Sequence, residues 1–334
     1  MKVLVTGGAG FIGSWLVRLW LREEPGISIV NLDKLTYSGD LARLEEAAGD
    51  RRHRFIQGDV CDARAVGEAM EGCDGVVHLA AETHVDRSLL DGKAFIDTNA
   101  YGTYALLETA RKKGVKVFLT VSTDEVYGSR AKGYFTEKDA LNPTSPYSVS
   151  KAAADFLTQS AARTHGLRAV VTRGSNTFGP FQYPEKVIPL FVSNALSGKK
   201  LPLYGDGLHV RNWLYVEDHC RAILLAFRKG RAGEVYNISS GVEMTNRELT
   251  RRILKLLDKP ASCVQKVRDR LGHDRRYAIS SKKLRALGWK EKFSFEQSLR
   301  DTVQWYCRNV SWWKSILEKS RDFKDYYARA YGNG

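Results

Sequence analysis

The sequence predicts an α/β protein: a Rossmann-type doubly wound parallel sheet with a smaller α/β substrate-binding domain at its C-terminal side. Three observations carry this. Short apolar runs alternate with helical-period segments through the first half of the chain. A glycine-rich turn, Thr6-Gly7-Gly8-Ala9-Gly10-Phe11-Ile12-Gly13, joins the first run to the first helical segment. After residue 179 the pattern becomes less regular, and most prolines fall from position 143 onward. The 334 residues have room for about two domains. We expect a dinucleotide-binding domain over 1–178, rejoined by about 207–238, and a mainly substrate-binding domain over 179–334.

The elements follow in order. Lys2–Thr6 is a β-rich run, and 11–24 carries apolar residues at helical spacing. Strands are predicted at 28–32, 54–57, 75–79, 115–121 and 167–172. An amphipathic helix at 99–113 ends at Gly114 with cations in its last turn. Later come helices at 187–196 and 246–257, an extended segment at 210–216, a strand at 234–238 and a helical tail from Phe295 rich in Trp and Tyr.

The 52 Lys and Arg against 38 Asp and Glu leave a net charge of +14, which suits an anionic partner. The basic residues are scattered, with no run of five or six, so a solvated surface is expected and no nucleic-acid partner. The cysteines, Cys61, Cys73, Cys220, Cys263 and Cys307, are odd in number and lack C-x-x-C spacing, so neither a disulfide framework nor a metal site is expected. No apolar stretch is long enough for a signal segment or a membrane span, and a cytoplasmic location is expected.

The strand-turn-helix setting of the glycine motif makes it a pyrophosphate cradle. Gly7, Gly10 and Gly13 permit the turn and the close approach, and the helix N-terminus at Phe11 and Ile12 offers free N–H groups. Asp33 follows Gly13 by 20 residues at the end of the second strand, where a carboxylate grips the adenosine ribose. It would repel a 2′-phosphate, which favours NAD over NADP; Lys34 next door weakens that preference. Leu35 and Thr36 continue this loop. Asp59-Val60 follows the third strand and either meets the adenine or forms a surface turn. Leu79-Ala80-Ala81 ends the fourth strand with small residues, where a ligand can lie close to the backbone, and Thr98 is added to the cofactor set.

Tyr147 and Lys151 are four apart in SPYSVSK, behind a Ser145 N-cap and Pro146. That spacing puts them on one helix face, where an ammonium favours the phenolate and lowers the Tyr pKa. Thr123-Asp124-Glu125 follows the fifth strand. Two carboxyls in one cleft repel, so that one stays protonated; alternatively the neighbours diverge and one merely caps a helix.

With these residues in view, the chain resembles the extended short-chain dehydrogenase/reductase family and, within it, the dTDP-glucose 4,6-dehydratases. The resemblance rests on TGGAGFIG (6–13), DKLTYSGD (33–40), HLAAETHVDRS (78–88), STDEVYG (122–128), SPYSVSK (145–151), SNTFGPFQYPEKVIPL (175–190), LPLYGDGLHVRNWLYVEDHCRAI (201–223), GEVYNI (233–238) and DRLGHDRRYAI (269–279). It runs essentially end to end, with Thr-Asp-Glu as its most specific element, since related 4-epimerases and decarboxylases usually carry Ser, Thr or Ala at 124.

The resemblance implies a dehydration of dTDP-glucose to dTDP-4-keto-6-deoxyglucose with bound NAD. Tyr147 would take the C4 hydroxyl proton, Thr123 bind the C4 oxygen and Lys151 hold the nicotinamide ribose. Glu125 would remove the C5 proton and Asp124 protonate the departing C6 hydroxyl. Thr83, Thr123, Asn176, Lys186, Val187, Pro202, Tyr204, Arg211, Asn246, His273 and Tyr277 would surround the sugar nucleotide. The resemblance also implies a homodimer formed through helices at 99–113 and 146–164. His84, His209 and His219 lack metal-like spacing and read as structural or supporting groups. Gly174 and Thr177 stand where many relatives carry Cys and Asn, Asn212 replaces a common Asp, and Thr83 a usual Ser. Alternatives are a UDP-glucose 4,6-dehydratase and a UDP-sugar 4-epimerase or decarboxylase of the same fold.

Overall fold

The computed structural model describes residues 1–269 and 273–320, together with Phe323, Lys324 and Tyr327. Positions 270–272 of the DRLGHDRRYAI motif and most of the tail beyond 320 lie outside the described residues.

The strands are β1 (Lys2–Thr6), β2 (Ser28–Asp33), β3 (His53–Gln57), β4 (Gly75–His78), β5 (Val117–Thr123), β6 (Arg168–Gly174), β7 (Asn176–Phe178), β8 (Leu201–Tyr204), β9 (Val210–Tyr215), β10 (Val235–Ile238), β11 (Glu243–Thr245) and β12 (Val264–Val267). The helices are α1 (Phe11–Glu23), α2 (Ala63–Ala69), α3 (Val85–Leu90), α4 (Gly92–Phe95), α5 (Gly102–Lys112), α6 (Pro146–His165), α7 (Val187–Leu196), α8 (Val216–Lys229), α9 (Asn246–Leu256), α10 (Lys282–Ala286), α11 (Phe295–Arg308) and α12 (Val310–Lys319).

The main sheet runs β10-β6-β5-β4-β1-β2-β3, with every pairing parallel. Its order reverses beside β1, and ligands of such sheets lie beyond the strands' carboxyl ends at that reversal. Fully buried apolar strands explain the pattern: Val3 and Val5 pack with α1 and α8 on one face, while Leu4, Val76 and Phe118 pack with α2 and α5 on the other. A second core, built on Phe191, Trp213, Leu249 and Trp313, binds α7, α9, α11 and α12 into a smaller body. Its sheets are β11-β9-β7 and β12-β8.

Two of the differences from the expected boundaries bear on the site. β5 ends at Thr123, two residues later than predicted, because its ladder with β6 continues to the Thr123–Gly174 pair. The predicted 99–113 helix is entered through α4 and a wide π-type turn over Ile96–Tyr101. There Asn99 is buried, bonding Glu82 through both amide atoms and Ser150 through its nitrogen. A local side-chain demand has overridden regular helix geometry.

Candidate active site

The glycine turn forms as its sequence requires. Gly7 takes φ +73°, and a Cβ there would stand 2.6 Å from the Ala80 nitrogen. A Cβ on Gly13 would meet the Gly7 carbonyl at 2.1 Å. α1 starts at Gly10 with no side-chain cap, so its first N–H groups are left for a ligand. Gly7, Gly10, Phe11, Ile12 and Gly13 all line one deep cleft. Asp33 lines it too, oriented by the Ala9 and Leu35 N–H groups at 2.9 Å each. Burial raises its pKa, and these two bonds oppose the shift. Lys34 and Asp59 pair at 2.6 Å at the same rim, so the cation next to Asp33 is already matched by a carboxylate. Thr36, Val60, Leu79, Ala80, Ala81 and Thr98 complete this end. Leu35 does not line the cleft; it contributes its backbone at φ +57° and the N–H held by Asp33. An uncapped helix N-terminus, an oriented carboxylate and a small-residue floor together fit a dinucleotide.

Farther along lie Thr123, Asp124, Glu125, Tyr147 and Lys151. Ser145 and Ser148 form a reciprocal cap, each side chain taking the other's backbone N–H at 3.1 and 3.0 Å. Such caps are worth about 1 kcal/mol, and this one fixes the helix end that carries Tyr147. Thr123 is the residue that caps: its hydroxyl accepts the Glu125 N–H at 3.2 Å. This leaves both carboxyls turned to the cleft. Asp124 is buried, its Oδ1 accepting from the Thr123 hydroxyl at 3.3 Å and its Oδ2 lacking a partner. Burial first, then the Glu125 charge, push its pKa up to about 8. It is therefore an acid at neutral pH, with an oxygen that has no protein partner.

The simple expectation for Tyr147 does not hold. Burial, followed by the Glu125 charge, raises its pKa, and a hydrogen bond with Thr123 only partly opposes this. Lys151 sends its ammonium to the Val121 carbonyl at 2.7 Å, and its own pKa falls to about 8 through burial. Helical spacing put the two on one face, but strand β5 competes for the ammonium.

A second cavity adjoins the first and shares Thr83, Glu125, Asn176 and Lys186 with it. Val187, Pro202, Tyr204, Arg211, Asn246 and His273 line it. Arg211 is no surface residue: it is buried, donates to the Val210 and Asp274 carbonyls, and has Tyr277 4.3 Å from its guanidinium carbon. Tyr277 sits behind that guanidinium, bonded to Asp274 at 2.8 Å, and does not line either cavity. Lys186 reaches the Thr83 carbonyl at 3.2 Å, and Asn176 keeps a buried Oδ1 without a partner.

Sequence reasoning missed several groups. Glu185, buried, ties Arg87 at 3.0 Å and the Tyr37 hydroxyl at 3.2 Å beneath the cleft. Arg43 is buried below the glycine turn, donating to the Ala9 and Phe181 carbonyls. His209, Asp269 and His273 meet within 4.8 Å although 60 or more residues separate the first from the others. The two imidazoles stack at 3.6 Å with planes 12° apart, and His209 Nε2 and His273 Nδ1 face the two carboxylate oxygens of Asp269 at 3.3 and 2.6 Å.

This parallel sheet, its glycine-lined cleft and the Tyr147/Lys151 pair define the extended short-chain dehydrogenase/reductase class. The chain belongs to the GDP-mannose 4,6 dehydratase family, whose model matches residues 4–302. It is 48% identical over 321 residues to a dTDP-glucose 4,6-dehydratase of Streptomyces niveus, covering 95% of this chain and 96% of that one. DesIV, the dTDP-glucose 4,6-dehydratase of Streptomyces venezuelae solved with NAD, superposes with a TM-score of 0.93 at 48% identity, over 95% of this chain and all of that one. A Thermotoga maritima UDP-glucose 4-epimerase solved with UDP-glucose gives 0.86 at 32% identity, over 93% of this chain and all of that one. Among the described residues no helix is long and apolar enough to cross a membrane.

Proposed function

We propose that the protein converts dTDP-glucose to dTDP-4-keto-6-deoxyglucose and water. The observation that carries this is Asp124, an acid with pKa about 8 whose Oδ2 has no partner, beside Glu125 in the same cleft. An epimerase needs no acid for a leaving hydroxyl; an elimination across C5–C6 does.

NAD, when bound along the glycine turn, supplies the oxidation of the sugar at C4 and the matching reduction at C6. Gly7, Gly10 and the α1 N-terminus hold its pyrophosphate, and Asp33 its adenosine ribose. Tyr147 accepts the C4 hydroxyl proton, with Thr123 bonding the same oxygen and Lys151 the nicotinamide ribose. Burial opposes the phenolate, so Lys151 and the cationic dinucleotide are the groups that offset it. The 4-ketone acidifies C5–H, Glu125 removes that proton, Asp124 protonates the C6 hydroxyl as it leaves, and C5 regains a proton as C6 is reduced. Arg211 faces the pyrophosphate of the sugar nucleotide, while Thr83, Asn176, Lys186, Val187, Pro202, Tyr204, Asn246 and His273 enclose the rest. Tyr277 acts by holding Arg211. We place the division between the two halves at 178/179, with 207–238 rejoining the first.

We also propose a homodimer. Leu89, Leu90, Ile96, Tyr101, Tyr104, Val149 and Phe156 are exposed along α3, the π-type turn, α5 and α6, a concentration of apolar surface that a second copy of this face would cover. A monomer mass by light scattering at micromolar concentration would refute it.

The test of function is incubation with dTDP-glucose and, separately, UDP-glucose, with products read by mass. Loss of one water supports dehydration, and the ratio of rates names the base. An unchanged mass with a galactose isomer formed would replace the reading with an epimerase.

A further inference from the structure

Arg211 stands on β9, and Tyr147 in the first turn of α6. The proposed reaction needs the two in register, because the sugar nucleotide is anchored by its pyrophosphate at Arg211 while its hexose meets Tyr147. An error of about 1 Å in such a placement can cost about 10²-fold in rate. Asp274 joins the two positions.

Asp274 is only 9% exposed, and its Oδ2 accepts two hydrogen bonds, from the Thr144 hydroxyl at 2.6 Å and from the Tyr277 hydroxyl at 2.8 Å. Burial, then the Glu125 charge, raise the Tyr277 pKa, so that group is a phenol with a proton to give.

On one side of the carboxylate lies the catalytic helix. Thr144 comes just before the Ser145 cap and gives its own N–H to Ser148 Oγ at 3.1 Å, so it is part of the turn that starts α6. On the other side lies the pyrophosphate anchor. The Tyr277 ring centre is 4.3 Å from the Arg211 guanidinium carbon, and the Asp274 carbonyl accepts from Arg211 Nη2 at 3.0 Å. The backbone that follows is tied to β9. The Val210 N–H reaches the Arg275 carbonyl at 2.9 Å, and the Tyr277 N–H reaches the Val210 carbonyl at 3.4 Å. Asp274 therefore keeps its place relative to Arg211, and its carboxylate carries that place to the helix of Tyr147.

We infer that Asp274 is a positioning residue for the reaction: through Tyr277 and Thr144 it fixes the pyrophosphate anchor Arg211 relative to the helix end that bears Tyr147. This rests on the sugar-nucleotide reading given above. Asp274 lines neither cavity, so its effect runs through these partners. The role asks for one oxygen that accepts two bonds, which a neutral amide oxygen also provides.

The test measures kcat with dTDP-glucose and equilibrium binding of dTDP, on the full chain with NAD present. Thr144→Val keeps the side chain's shape and removes one bond of the bridge; Tyr277→Phe keeps the ring behind Arg211 and removes the other. Each should lower kcat by about ten- to a hundredfold, and Thr144→Val should leave dTDP affinity unchanged. The double variant should lose the same factor as either single one, not the product of the two, because both break one link. Asp274→Ala should repeat the loss, and Asp274→Asn should restore most of it. The Thr144 and Tyr277 variants serve if Asp274→Ala fails to fold. Multiplicative losses in the double variant, wild-type kcat in Thr144→Val, or a loss of dTDP affinity there equal to the loss of kcat would overturn the assignment. A wild-type chain that neither binds dTDP nor dehydrates dTDP-glucose would instead overturn the reading of function, and this inference with it.

Discussion

Asp124 and Glu125 are chain neighbours that turn into the same cleft, and the Glu125 charge stands second only to burial in holding the Asp124 carboxyl at about 8. The acid of the pair is thus made by its neighbour as well as by its surroundings. The Thr123 cap sets this up, since it bends the chain from β5 into a short 3-10 turn that begins at Asp124.

The pH profile follows. Asp124 and Lys151 both lose their protons near pH 8, and the proposed roles need both protonated. The rate of dTDP-glucose dehydration should fall above about pH 8, more steeply than a single ionisation allows. In Asp124→Asn the remaining alkaline fall should become single, on a kcat reduced by about 10²–10⁴. A pH series of kcat for both proteins decides it.

The same carboxyl affects stability with a defined sign. Its pKa is raised in the folded chain from an ordinary 3.8 to about 8. Its contribution is therefore complete below the unfolded value and is lost as pH rises through the folded one. Asp124→Asn holds no such proton. Its Tm relative to wild type should rise between about pH 5 and pH 8, by roughly 2–4 °C for each kcal/mol recovered. Thermal melts at both pH values check this, and a constant difference would disprove it.

Glu125→Gln tests the C5 step without reference to the others. Wild type in D₂O should place solvent deuterium at C5 of the product, while the variant should slow that exchange by at least about 10²-fold. NMR of recovered sugar nucleotide gives the rate at C5. Exchange at the wild-type rate would remove Glu125 from that role.

Tyr147→Phe keeps the buried ring and its edge contact with Phe95 but removes the hydroxyl. We expect kcat to drop by about 10²–10⁴ with KM for dTDP-glucose changed little. A loss in KM alone would mean the hydroxyl only binds substrate.

Gly13→Ala places a methyl 2.1 Å from the Gly7 carbonyl, which backbone cannot yield without opening the turn. NAD affinity should fall at least about tenfold, together with a lower Tm. Gly26→Ala, where a Cβ meets nothing within 4 Å, is the control and should change neither.

Much of the site was legible because its signals are local. The glycine turn works through backbone geometry within eight residues, and the Ser145 cap through a reach of three. Asp33 and Thr123 stand at strand ends, which period and turn chemistry mark. Arg43 and Glu185 were not legible as site residues, because nothing near them in the chain announces the cleft they support. His209 and His273 stack although 64 positions apart, and only the fold brings them together.

By itself, then, the sequence determined the alternation of strands and helices, the glycine turn and the residue types at the proposed catalytic positions. These depend on backbone sterics and hydrogen bonds among residues a few places apart. The tertiary structure decided the protonation of those residues. Burial and the approach of Glu125 make Asp124 an acid, and strand β5 draws the Lys151 ammonium to Val121. Each of these depends on solvent exclusion and on charges brought close by folding, and both are set by packing between elements distant in the chain.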